Sequence, residues 1–212
     1  MKFWIGFIFL VGSHVCDGQV ELYDKSMQVL RKGDSNGAIQ LLDELLKKYP
    51  DYVNGYFQRS LLLINRRDFF LAIKDYDQIL RIEPSNQDIL KQRATLKMNI
   101  ADVDGALSDL SDRIRLNPSN AMHYFDRAHA RGSVETADLA ACVKDYDRAI
   151  QLKPDLREAY ALRGYAKIYI LTRTRKSNTI PANLVADPCS DLRKAKSMGD
   201  NSVDNMMRAY CN

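Results

Sequence analysis

The chain has 212 residues, 46% of them hydrophobic and 27% charged, with a formal net charge of +4. That composition excludes an intrinsically disordered chain. The charge is mild and dispersed; its one dense cluster is Arg173, Arg175 and Lys176, which a solvated loop explains as well as a ligand does, so nothing resembles the concentrated basic face of a nucleic-acid binder.

At the N-terminus Lys2 precedes an apolar run over residues 3–11, too short to span a bilayer as a helix and followed by small and polar residues. This reads as a signal peptide over residues 1–18, cut after Gly18 to leave Gln19 first. The alternative is a lipid anchor at Cys16, for which Ser13, His14 and Val15 form a poor preceding segment. The expected location is therefore periplasmic or secreted, with a eukaryotic secretory lumen as the other compartment, and no membrane span is expected in the mature chain. Cleavage removes Lys2 and Asp17 together, so the +4 stands.

Beyond residue 18, Pro50, Pro84, Pro118 and Pro154 are spaced by 34, 34 and 36 residues. A period of 34 residues closed by proline predicts an array of helical pairs, none of which buries its apolar face alone. With each proline at position 32, the repeats run over 19–52, 53–86, 87–120 and 121–156, followed by an altered fifth over 157–198 and a capping helix over 199–212. Asp34, Asp68, Asp102 and Asp138 each precede a second helix as N-cap residues. Small residues recur where paired helices would cross: Ala38, Ala72, Ala106 and Cys142 on second helices, Ser60, Ala94, Ala128 and Gly164 on first helices. First helices are predicted near 20–32, 53–66, 87–100, 121–132 and 157–172, second helices near 35–48, 69–82, 103–116 and 138–152.

On these residues the chain resembles the tetratricopeptide repeat family, in its exported bacterial form. The family pattern has a large apolar or aromatic residue at position 4, small residues at 8 and 20, an aromatic at 24 and proline at 32. The second repeat reads Tyr56, Ser60, Ala72, Tyr76 and Pro84; the fourth reads Tyr124, Ala128, Cys142, Tyr146 and Pro154. The first repeat departs, with Leu22, Ser26 and Leu42, and the fifth has no closing proline. The resemblance covers residues 19–198 and implies an all-α, right-handed α-solenoid of about five repeats.

Arg59, Arg93, Arg127 and Arg163 stand at position 7, matched by Asp75, Asp109, Asp145 and Asp191 on the second helices. Arginine is no acid or base near neutral pH, so the series reads as a clamp between paired helices, each contributing about 1 kcal/mol. The first repeat, with Lys25 and Leu41, lacks it. In the fifth repeat Pro181 and its polar neighbours predict a long loop over 173–187 and a short helix near 188–197, ended by Gly199. Val203, Met206, Met207 and Tyr210 would face inward from the capping helix. Cys189 opens the short helix and Cys211 closes the last one, ends that meet in an antiparallel hairpin; a disulfide there would stabilise by roughly 3 kcal/mol. Two buried thiols are the other reading. Cys142 fills a small-residue packing slot.

Nothing in the sequence makes a catalytic constellation. His123 and His129 are six apart on one helix, hence on different faces and unlike a metal pair. There is no Gly-rich phosphate loop or nucleophile elbow, and no enzyme activity, cofactor or metal is expected. What remains is a groove. By the resemblance, positions 2, 5, 6, 9, 12 and 13 of first helices line the inner face, which gives Tyr23, Met27, Phe57, Gln58, Leu61, Asn65, Lys91, Gln92, Thr95, Asn99, Phe125, Asp126, His129, Tyr165 and Tyr169. Phe57, Phe125 and Tyr165 fit packing against the next repeat equally well. Tyr23 and Met27 stand where chaperone-tail binders of the family carry lysine and asparagine, which disfavours that clamp. An aromatic, amide-rich lining suits a peptide or helix of a partner protein. The expected function is thus a protein-binding adaptor or assembly factor; a self-associating structural protein, using loop 173–187 or the first repeat, and an accessory subunit of an enzyme complex are the alternatives.

Overall fold

The computed structural model describes residues 9–134, 137–173 and 181–211, with only the backbone for residues 9–17 and 182. Residues 1–8 of the expected signal peptide and 174–180 of the expected loop lie outside the described residues, as does the Cys16 side chain. All regular structure among the described residues is helical. The chain divides into two compact units, Met1–Ile89 and Leu90–Asn212.

In the N-terminal unit α1 (Phe9–Arg31) packs on α2 (Ser35–Lys48), α2 on α3 (Val53–Asn65), and α3 on α4 (Phe69–Ile82). Helix α5 (Gln87–Asn99) opens the C-terminal unit, its first three residues excepted. There follow α6 (Val103–Leu116), α7 (Ala121–Gly132), α8 (Leu139–Leu152), α9 (Arg157–Arg173) and α10 (Ala182–Ser197), then a 3-10 turn (Asn201–Val203) and α11 (Asp204–Tyr210). From α6 to α11 consecutive helices pack on one another. The all-α, tandem helix-pair expectation stands.

The repeated residues do the local work the pattern assigns them, with one exception. The carboxylates of Asp34, Asp102 and Asp138 accept hydrogen bonds from the backbone N–H of Gly37, Gly105 and Ala141 at 2.8, 3.0 and 3.0 Å, satisfying first-turn donors that a helix leaves unpaired. Asp68 makes no such cap; it turns to Arg66 instead. The residue before each cap region adopts the left-handed conformation, at Gly33 (φ 87), Arg67 (φ 63) and Ala101 (φ 62). Only glycine does so without a Cβ penalty.

Ala38, Ala72, Ala106 and Cys142 are buried, as are Ser60, Ala94, Ala128 and Gly164. Small side chains there let each helix pair close, with Tyr76 and Tyr146 filling the space beside them. Gly164 marks a close approach: a Cβ on it would lie 2.7 Å from Leu192 Cδ2 and 3.1 Å from the Pro188 carbonyl oxygen.

The arginine clamp forms in every repeat where the sequence carries it. Nε of Arg59, Arg93, Arg127 and Arg163 lies 3.1, 2.9, 2.9 and 2.9 Å from a carboxylate oxygen of Asp75, Asp109, Asp145 and Asp191, and a second guanidinium nitrogen pairs with the other oxygen. The same arginines also reach back one repeat, Arg59 to Asp43 and Arg163 to Asp147 at 2.6 Å, Arg127 to Ser111 at 3.0 Å. Arg59, Arg127 and Arg163 therefore each tie three helices, which exceeds the two-helix clamp read from the spacing.

Two spans differ from expectation. Helix α1 runs from Phe9 through Gly18, where the sequence reading starts a helix near 20 after cleavage. Helix α10 begins at Ala182, so residues 182–187 of the expected loop are helical and Pro188 lies inside the helix. Val185, Cys189, Leu192 and Ala195 form one buried stripe at helical spacing, and Pro188 is buried within it. Burial of that stripe outweighs the hydrogen bond the proline cannot donate. Cys189 and Cys211 are joined by a disulfide, with Cα atoms 5.5 Å apart, and Cys142 is a buried free thiol.

Candidate protein-interaction groove

The candidate residues fall into two sets, one per unit. In the N-terminal unit Tyr23 meets Tyr52 edge-on, with centroids 5.7 Å apart. Burial pushes the Tyr23 phenol up, so it stays protonated. Met27, Phe57, Gln58 and Leu61 are half-buried and Asn65 is exposed. A cavity of about 300 Å³ in this unit is lined by none of them; Ile39, Asp43, Arg59, Leu63, Leu71 and Asp75 are among its walls.

In the C-terminal unit the structure brings the candidates together around two cavities. The first, about 320 Å³, is bordered by Lys91, Thr95 and Asn99 of α5 and by Asp126 and His129 of α7, over a floor of Ala94, Met98, Leu110 and Ala130. These positions are three or four residues apart and so share a helix face. Asp126 accepts from Arg113 Nη1 at 2.7 Å and pairs with Lys91 Nζ at 3.1 Å. Two cations on one carboxylate leave this end of the groove with a surplus positive charge. Gln92 is half-buried and does not border the cavity.

The second cavity, about 220 Å³, shares His129 and Ser133 with the first. Its remaining walls are Tyr146, Tyr165 and Tyr169 with Leu139, Leu162, Ala166, Gly132 and the Cys142 thiol. Burial pushes the Cys142 thiol and the Tyr146 phenol up, so both stay protonated at neutral pH in a cavity walled mainly by aromatic and apolar side chains. Tyr169 is 54% exposed, a large aromatic surface at the rim. Phe125 lies behind rather than in the cavities, its ring stacked on His129 at 6.1 Å and tilted on Tyr146 at 5.9 Å.

The two histidines of α7 separate by face. His129 is exposed at the groove, while His123 is 2% exposed, its Nδ1–H donating to the Asn117 carbonyl at 3.2 Å. Burial, helped by the Arg113 guanidinium, pushes His123 down against the pull of its backbone partners, which favours the neutral ring. Among the described residues no three His, Cys, Asp or Glu side chains cluster as a metal would need.

Sequence reasoning missed the floor and the charge support of this groove. Met98 occupies position 12 of its repeat, an inner-face position by the resemblance, so the register alone could have found it. Arg113 carried no such signal, because only the folded contact shows that it holds Asp126.

No protein-family model matches the sequence, and no curated protein does. Solved structures do. A crystal structure of MamA is 18% identical, covering 88% of this chain and 94% of that one with TM-score 0.67. MamA from Desulfovibrio magneticus RS-1, residues 41 to the end, is 18% identical over 85% of this chain and 94% of that one, TM-score 0.63. YrrB, described as a TPR protein with an unusual peptide-binding site, is 14% identical over 88% and 90%, TM-score 0.63. Identities this low establish architecture alone. The chain has the tetratricopeptide-repeat fold.

Proposed function

We propose that the protein is a non-catalytic interaction scaffold, an adaptor or assembly factor, that binds a peptide or helix of a partner protein along α5, α7 and α9. A large apolar side chain of the partner enters between Tyr146, Tyr165 and Tyr169, and its polar atoms meet Thr95, Asn99, Ser133 and Lys91. The observation that carries this reading is the joining of a polar and an aromatic cavity through His129 and Ser133. Apolar walls with a few fixed polar groups are what peptide recognition requires. The peptide-binding site named for YrrB, a protein of the same fold, supports it as an analogy. Tyr23, Met27, Phe57, Gln58, Leu61 and Asn65 offer a further set of contacts within the N-terminal unit.

Export is part of the proposal. The Cys189–Cys211 disulfide supports an oxidising compartment, and no described helix is long and apolar enough to cross a membrane. Photoreactive side chains placed at Thr95 and Tyr169, with Lys144 of α8 as control, test the groove in the native compartment. Cross-links to a protein partner from Thr95 and Tyr169 but not from Lys144 are expected. Equal labelling from all three positions would refute groove binding.

A further inference from the structure

We infer that the Cys189–Cys211 disulfide is a redox control on the aromatic cavity, acting through Tyr165. This tyrosine has two neighbours of different kinds. One side of it lines the cavity with Tyr169 and Cys142; its hydroxyl donates to the Ser202 carbonyl at 3.0 Å, in the turn that carries the cap. Val203, the next residue, is fully buried among Ala161, Ile168, Leu192 and Ala195, and Tyr165 packs against the same cluster. Whatever holds the turn therefore holds a wall of the cavity.

The cap beyond that turn is weakly held apart from its sulfur link. Helix α11 has seven residues, none of them buried, and a helix this short does not persist on its own. Met206, Met207 and Tyr210 pack against the cluster but remain partly exposed themselves. The polar ties are peripheral: Lys196 Nζ to Asp204 at 2.8 Å and to Asn201 at 2.7 Å, Arg193 to the Cys211 carbonyl at 3.3 Å. The disulfide fixes the far end of α11 to Cys189, which is itself buried in α10.

Reduction by a dithiol breaks the S–S bond. Each sulfur gains one electron and one proton, and the reductant leaves as its own disulfide. Helix α11 then frays, the turn at Ser202 loosens, and Tyr165 is released to move away from Tyr169 and Cys142. This regulation presupposes that the aromatic cavity binds a partner, but movement of its wall is measurable without one.

The readout is alkylation of Cys142, 1% exposed at the back of the cavity. Iodoacetamide labelling, followed by mass spectrometry on the Cys142 peptide, compares the oxidised wild type with Cys189→Ser/Cys211→Ser and with Tyr165→Phe in which the disulfide is intact. Both variants are expected to label roughly three- to tenfold faster than wild type, reflecting local opening. Unchanged rates in a folded double variant would overturn the inference. Should the double variant lose helix content, Tyr165→Phe decides: faster labelling upholds the link through Ser202, and a wild-type rate overturns it. Faster labelling with no change in partner cross-linking from Tyr169 would uphold the switch and count against the groove instead.

Discussion

The two units solve one electrostatic problem differently. In the C-terminal unit every buried clamp aspartate has two cations from its own repeat: Asp109 has Arg93 and Lys97, Asp145 has Arg127 and Arg131, Asp191 has Arg163 and Lys167. In the N-terminal unit the corresponding second position is Leu63, and Arg59 alone serves both Asp75 and Asp43. Burial, with Asp43 adding, pushes the Asp75 carboxyl above the usual range despite Arg59. Satisfying a buried charge takes more than one partner, and the unit that lacks the second cation has its charged cavity at that place.

The largest expected effect breaks a doubly held clamp. Asp145→Ala leaves Arg127 and Arg131 facing each other at an interior site and should cost about 3 kcal/mol in denaturant unfolding. Asp75→Asn, which keeps an acceptor for Arg59 and leaves it Asp43, should cost about 1 kcal/mol. Equal losses would remove the distinction between the units. Next in size is the staple that only the C-terminal unit possesses: Cys189→Ser/Cys211→Ser should lower stability by roughly 3 kcal/mol or less, with the first loss of amide protection in α11.

Smaller effects come from the left-handed turn residues. Arg67→Gly and Ala101→Gly should each raise stability by about 1 kcal/mol, one in each unit, while Gly33→Ala should lower it by a similar amount. Space is open around Gly33, so that cost is backbone strain alone. Thermal melts of the three variants check the signs.

The smallest effect sets the units in opposition with pH. His123 is pushed down on folding, so its contribution is complete above the ordinary histidine value of about 6.5 and is lost as pH falls toward its folded value. Asp75 is pushed up, so its contribution is complete below the ordinary aspartate value of about 3.9 and is lost as pH rises through its folded value. Acidification from neutrality should thus weaken protection in α7 first and strengthen it in α4, once intrinsic exchange is corrected for. His123→Gln should abolish the first trend and Asp75→Asn the second.

What could be read in the chain follows from how far each feature repeats. Helix pairs, small crossing residues and the Arg–Asp clamp recur every 34 residues, so each instance corroborates the others. The second clamp cation does not announce itself, because Lys97, Arg131 and Lys167 differ in type and Leu63 interrupts them. Helix α10 departs from expectation where a local rule met a longer pattern: Pro181 and its polar neighbours predict a loop to residue 187, but the buried stripe from Val185 to Ala195 begins inside that span and the helix starts right after Pro181. The Cys189–Cys211 pair forms as one of the two readings expected, although only Cys211 stands at a helix end; Cys189 lies inside α10, on its buried stripe, rather than at its start. The cavities were legible only as a list of inner positions; which of those residues gather, and that Phe125 turns toward Tyr146, depends on packing between repeats that no single repeat encodes.

The most direct test compares the two large exposed aromatics, Tyr169 in the C-terminal unit and Phe70 in the N-terminal unit, 54% and 69% exposed. With the partner recovered by cross-linking, affinities of wild type, Tyr169→Ala and Phe70→Ala are measured by titration. Tyr169→Ala should weaken binding about tenfold or more, as expected for an aromatic anchor, and Phe70→Ala should leave it unchanged. Loss of binding in Phe70→Ala with wild-type affinity in Tyr169→Ala would contradict recognition at the C-terminal groove.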